Sequence, residues 1–154
     1  MTISRDNFLV FVRRQRIYTE LNGATTVILL SVGNIADNDP DIDTALAWAL
    51  STVTDLIQQF NAIDYERAVY NAAMHWLLMY GVADVFDGIR TALNLWTQKN
   101  GFLQSTSDEG SSASYLLPDF LATLSASDMD FMKTQSGRDY LSILGRYRDI
   151  VNFA

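Results

Sequence analysis

Apolar positions recur along this chain at spacings of three and four residues, the period of helices that bury one face. One stretch departs from that pattern. From Asp64 to Gly81 the sequence reads DYERAVYNAAMHWLLMYG and is apolar on nearly every side, so it is expected to form a central helix wrapped by the others. Asp64 is placed to cap it, Glu66 falls in the first turn where the helix dipole favours an anion, and Gly81 sits at the usual left-handed stop. Its polar stripe is Arg67, Asn71 and His75, spaced four apart and therefore stacked on one face. Ala68, Ala72 and Ala73 allow close approach of neighbours, and Trp76 is expected to be largely buried.

Around this helix the pattern predicts an all-α bundle of about five to seven helices. Ser4 opens a first helix whose apolar positions Phe8, Phe11, Val12, Tyr18 and Leu21 carry it to Asn22-Gly23. The stretch TTVILLSV, residues 25 to 32, reads either as a buried strand or as a helix to Ile35, with helix preferred. Asp41 or Asp43 then caps a helix running through Leu46, Leu50, Val53 and Ile57 to Phe60, and Asn61 to Asp64 is a short connection between antiparallel neighbours. After a bend from Val82 to Asp87, a further helix runs through Ile89, Leu93 and Trp96 to Lys99. Residues 104 to 115, QSTSDEGSSASY, break the helical pattern as an exposed loop or hairpin. Its Ser-Thr alternation suits either an edge strand that pairs with another chain or a flexible excursion. Pro118 begins a short helix through Phe120, Leu121 and Leu124, Ser127 with Asp130 opens another turn, and the last helix runs from Arg138 towards Val151.

Composition narrows the class. A chain of 154 residues with 49% hydrophobic content is one domain with its own core. With no cysteine it has no thiol nucleophile, no cysteine-ligated metal and no disulfide, which fits a reducing compartment. Met1 leads into polar residues without a signal pattern, and no apolar run reaches the ~18 residues of a membrane span, so a soluble, unexported chain is expected. The net charge of −7 argues against a general nucleic-acid binder. That charge is uneven. Residues 1 to 20 carry four arginines against Asp6 and Glu20, residues 136 to 154 carry three against Asp139 and Asp149, and the span between holds four cations against fourteen carboxylates. Either the basic ends and the acidic body face different things, or all are solvated helix faces.

Catalytic chemistry finds little footing. Asp37, Asn38, Asp39 and Asp41 imitate the start of a calcium loop, but Ile42 stands where a glycine is needed and Trp48 where the bidentate glutamate belongs. Helix capping explains these carboxylates better, and it also explains the pair Asp84 and Asp87. His75 is the only histidine, which favours a satisfied core or interface residue over a metal ligand or general base. No phosphate loop, dinucleotide fingerprint or nucleophile elbow is present. Neither a metal nor a cofactor is expected, and an enzyme is disfavoured unless Asp84, Asp87, Asp128, Asp130 and His75 converge on one pocket.

Three segments in order, AAMHWLL (Ala72 to Leu78), the Ser-Gly-Ser-rich excursion (Ser105 to Tyr115) and MKTQSGRDYLSILGRYR (Met132 to Arg148), resemble the small helical head-to-tail adaptor, or connector, proteins of tailed bacteriophages. His75, Leu77 and Leu78 match the family's first helix; Thr134, Gly137, Tyr140 and Leu141 match its closing Thr-x-x-Gly-x-x-Tyr-Leu pattern, with Ser136 where an aromatic often stands. The resemblance covers residues 65 to 148. It implies a non-catalytic virion protein at the neck, assembled in the host cytoplasm into a ring, commonly of twelve copies. Its partners would be the portal protein, neighbouring copies of itself and a downstream neck or tail protein, with DNA passing through the lumen without specific binding and no membrane involved. The C-terminal tail from residue 147 to 154 is then the expected portal anchor, through Arg146, Tyr147, Arg148, Ile150, Val151 and Phe153, and Ser105, Ser107, Gly110, Ser112 and Tyr115 form the expected inter-subunit loop. The competing expectation for the tail is a last helical turn packed on its own core. The competing function is a small acidic helical regulatory or inhibitory module that binds one host protein.

Overall fold

A computed structural model describes residues 3–21, 24–30, 34–95, 105–108, 111–114 and 125–151. Helix α1 (Arg5–Arg13) begins where Ser4 accepts a hydrogen bond from the Asn7 backbone, and it buries Phe8, Leu9 and Val12. It stops well short of Leu21. Arg16–Leu21 forms strand β1, which pairs antiparallel with β2 (Ala24–Leu29) from Arg16↔Leu29 to Leu21↔Ala24. Over Ala24–Leu29 a strand therefore replaces the helix expected from residue 25 to Ile35, and residues 31–33 of that expectation lie outside the described residues. The physical reason is the β-branched run Thr25 to Ile28 and an alternating pattern in which Ile17 and Ile28, directly opposite each other, pack against the core. Asn22-Gly23, read above as a helix end, is also the strongest two-residue hairpin signal.

Helix α2 (Pro40–Thr52) is capped by Asp39, whose carboxylate accepts from the Asp41 backbone N–H at 2.9 Å. Neither Asp41 nor Asp43 is the cap, because Pro40 already occupies the first helical position, which its fixed φ suits. The helix does not continue to Phe60. The Ser51 and Thr52 hydroxyls both bond back to the Trp48 carbonyl, Val53 turns extended, and the chain restarts as α3 (Leu56–Phe60).

Helix α4 (Ala62–Tyr80) is the predicted central element, packed against α1, α2, α3, α7 (Gln135–Val151) and α5 (Asp84–Ala92). Its cap is Asn61, not Asp64: the Asn61 side chain accepts from the Ile63 and Asp64 backbone N–H groups. Asp64 is buried inside the first turn instead. Trp76 packs against the core as expected, with one edge at the mouth of a recess. Gly81 ends α4 with φ −55° and ψ 138°, an extended geometry with no left-handed character. Glycine is needed for space: a Cβ there would lie 2.6 Å from both the Leu77 carbonyl oxygen and the Phe86 ring. The buried Asp41 carboxylate reaches across from α2 and accepts from the Val82 and Ala83 N–H groups, fixing the turn into α5. That helix begins at Asp84 with no bend running to Asp87, and ends at Ala92; Asn94 follows with φ 54°. Its expected extension through Trp96 to Lys99 lies outside the described residues, as does the helix expected after Pro118.

Strands β3 (Ser105–Asp108) and β4 (Ser111–Ser114) form a second antiparallel hairpin from the Ser-rich excursion. Helix α6 (Ala126–Phe131) opens on a capping box between Ser125 and Asp128, two residues before the Ser127–Asp130 pair expected from sequence. Helix α7 starts at Gln135, so Gly137 lies within its first turn and does not precede it. With seven helices and two small hairpins among the described residues, the fold is all-α.

The α6–α7 junction depends on Gly137, because a Cβ there would stand 1.9 Å from the Phe131 carbonyl oxygen and 2.7 Å from its carbon. Backbone cannot yield as a side chain can. Gly137→Ala is expected to lower unfolding stability by ~3 kcal/mol in urea melts, whereas Gly145→Ala, with open space at its Cβ, is expected to leave stability unchanged or raise it.

Candidate functional site

The polar groups of α4 are where distant parts of the chain meet. His75, only 1% exposed, places Nδ1 2.8 Å from the Thr134 hydroxyl and Nε2 3.3 Å from Asp130 Oδ2. Thr134 is itself 3% exposed and caps α7: its oxygen accepts from the Gly137 N–H at 2.9 Å, and its backbone carbonyl accepts from the Arg138 N–H. With that oxygen accepting from Gly137, its own proton is free to go to Nδ1, which assigns the His75 proton to Nε2, donating to Asp130. Each atom of the cluster is thereby satisfied with the imidazole neutral. Burial holds its pKa below the ordinary 6.5; the Asp130 charge and hydrogen bond oppose this, and the Lys133 charge assists it.

Asp130 has three partners: Lys133 Nζ at 2.6 Å, the Tyr80 hydroxyl at 3.1 Å and His75. Partial burial works against its ionised form, yet the hydrogen bonds from Lys133 and Tyr80 and the Lys133 charge prevail and lower its pKa. Above this cluster lies an open recess of about 430 Å³ walled by Trp76 and Tyr80 from α4, Trp48 from α2, and Phe131 and Ser127 from α6. Phe131 anchors its floor, with ring centroids 4.7 Å from His75 and 4.6 Å from Tyr140.

The order carboxylate, imidazole, hydroxyl is also that of a hydrolytic triad. The hydroxyl here is buried and holds the N-terminus of α7, so attack by it would uncap that helix. The remaining carboxylates do not converge on the cluster. Asp128 belongs to the capping box, Asp84 and Asp87 lie in the first turn of α5, and Asp87 pairs with Arg90 at 3.2 Å. In the imitation calcium loop Asp37 pairs with Arg13 at 2.6 Å, Asp39 caps α2, and Asp41 accepts from the Val82 and Ala83 N–H groups. No group of potential metal ligands forms among the described residues. Part of the charge asymmetry is thus internal pairing, since Arg5 also meets Asp43 at 2.7 Å.

At the other end of α4, the buried Asp64 carboxylate accepts from the Tyr147 hydroxyl at 2.7 Å and meets Arg146 at 3.2 Å. Two of the expected docking residues are therefore turned onto their own domain, while Arg148, Ile150 and Val151 form the final turn of α7 and Phe153 lies outside the described residues. Ser105, Ser107 and Ser112 lie on β3 and β4; Gly110 and Tyr115 are outside the described residues. Sequence reasoning missed Asp64, Thr134 and Asp41 as buried ties. Their only sequence signal is a polar residue inside an apolar run or at a helix start. No family model, no curated protein and no solved structure matches this chain.

His75 is the sole histidine, so any stability change between pH 7 and 5 reports on it, apart from carboxylates titrating at the acid end. Its folded pKa is depressed, so the unfolded chain takes up a proton first: stability is full above ~pH 7 and falls as pH drops through ~6.5. Urea melts at stepped pH are expected to show this decline in the natural chain. In His75→Gln the decline is expected to flatten, with stability at pH 7.5 lower by roughly 1–3 kcal/mol because buried partners lose a bond.

Proposed function

We propose that this chain is a head-to-tail adaptor of a tailed-phage virion, a ring-forming structural subunit seated between the portal and the next neck or tail component. The observation that carries the reading is the interlock of the segments behind the resemblance. His75 of the first segment and Thr134 of the last, 59 positions apart, share a 2.8 Å hydrogen bond, and Gly137 closes against Phe131 in the same junction. The resemblance therefore falls on residues that define one packed unit, not on scattered surface positions. The Ser-rich hairpin and the long C-terminal helix agree with a subunit that contacts copies of itself and a portal. In this reading DNA slides through the ring without specific contacts, assisted by the acidic body.

The Asp64 clasp at Arg146 and Tyr147 lies just before the last turn of α7. Deleting residues 149–154 leaves the clasp intact, so the truncated chain is expected to melt at the natural temperature yet fail to join portal-bearing capsids in a pull-down assay. Loss of stability, or normal joining, sinks the docking role of the tail. The isolated natural chain is expected to self-associate weakly by light scattering and to close into a ring only with portal present.

A further inference from the structure

The β1–β2 hairpin lies on one side of α4, with Arg16, Ile17 and Tyr18 of its first strand bordering a groove shared with Met74 and Leu78. The aromatic recess lies on the other. Trp76 and Tyr80 follow Met74 and Leu78 by two positions, which at ~100° per residue turns them roughly 200° around the helix. Each side carries unpartnered surface. On the hairpin, strand alternation directs Arg16 and Tyr18 away from the core-facing Ile17, with Leu29 and Val27 opposite them in register. Tyr18 is 60% exposed, Leu29 50% and Val27 46%, and Arg16 has no side-chain partner among the described residues. Tyrosine and arginine amid apolar residues is the composition of an interface hot spot. The recess offers the complement: the indole of Trp76 and the ring of Tyr80, 6.0 Å apart, attract a guanidinium by cation–π, while the neighbouring Asp130 carboxylate, already paired with Lys133 at 2.6 Å, keeps the rim polar without a free charge of its own.

We infer that the outer face of the β1–β2 hairpin of one copy docks onto the aromatic recess of the next, with Arg16 over Trp76 and Tyr80 and beside Asp130. Because donor and acceptor lie on opposite sides of α4, the contact is head-to-tail, the kind that propagates from copy to copy and closes as a ring when the rotation permits. The inference rests on reading the chain as a ring subunit, and it names the surfaces that such a ring would join.

A chain without cysteine makes the test clean. Val27→Cys and Ser127→Cys each place one thiol at an exposed position, on the donor face and at the rim of the recess. Mixed under mild oxidation, the two single variants are expected to give a cross-linked heterodimer, and a chain carrying both is expected to give a ladder of dimers, trimers and longer species. Val27→Cys mixed with Ile63→Cys, whose thiol lies near the far end of α4, should cross-link only at the background rate. Adding Arg16→Glu to the Val27→Cys chain should slow the specific cross-link at least about tenfold, the effect of losing one hot-spot arginine. Equal rates for the Ser127 and Ile63 partners, or indifference to Arg16→Glu in a chain that melts normally, overturn the contact. Capsid joining separates the two claims. If Val27→Cys and Ser127→Cys chains give no cross-link above background while the natural chain joins portal-bearing capsids, this contact is wrong and the adaptor reading stands. If the ladder forms but the natural chain never joins portal, the contact stands and the adaptor reading is lost.

Discussion

Burial of α4 on almost every side is the constraint from which the rest of the structure follows. Ala68, Ala72 and Ala73, all fully buried, let neighbouring helices approach closely, and the large residues Met74, Leu77 and Val69 fill what remains. Along its enclosed stripes the helix has no solvent for polar side chains, although Arg67 and Tyr80 reach the surface. Asp64 and His75 must therefore find partners on other elements, since an unpaired buried polar group costs roughly 1–3 kcal/mol. Tyr147, Arg146 and Thr134 lie on α7 or at its entry, and Asp130 lies on α6 just before it.

The two ties set the register of α7 against α4. His75 pairs with the start of α7 and Asp64 with its far end, so the helices run antiparallel. The 11 residues between the two α4 anchors rise ~16 Å and the 13 between Thr134 and Tyr147 rise ~20 Å, spans similar enough for one helix to lie along the other. Gly137 allows α7 to begin directly against the Phe131 carbonyl, and the Asp64 clasp fixes where its last turn leaves the body. Between them they decide where any C-terminal docking segment is presented. Hydrogen bonding to Asp64 is also the main cause raising the Tyr147 phenol above its ordinary pKa, so it stays a proton donor across the physiological range.

The same enclosure leaves two distinct features on the flanks of α4. With α7 covering one stripe of α4 and α2 another, the hairpin lies on the Met74 side and the aromatic recess opens on the Trp76 side. Trp76 illustrates the consequence: most of its bulk packs against the core while one edge lines the rim of the recess.

Much of this was written in local pattern. The all-α class, the central helix, its alanine face, Ser4 as a cap and the Ser-rich excursion all follow from periodicity, capping chemistry and composition, which act over a few residues. Local pattern misled where two readings share residues: Asn22-Gly23 as stop or hairpin turn, Asp64 or Asn61 as cap, Gly81 as left-handed stop or as the only residue small enough beside Phe86. What the sequence could not show was partnership. His75 meets residues 55 and 59 positions away, Asp64 one 83 positions away and Asp41 backbone 41 positions away, and no spacing rule reaches so far. Tertiary structure alone decides these, because which helix faces which depends on the packing of all the apolar surfaces together, and each buried polar atom is then matched to whatever that packing brings within 3 Å or so.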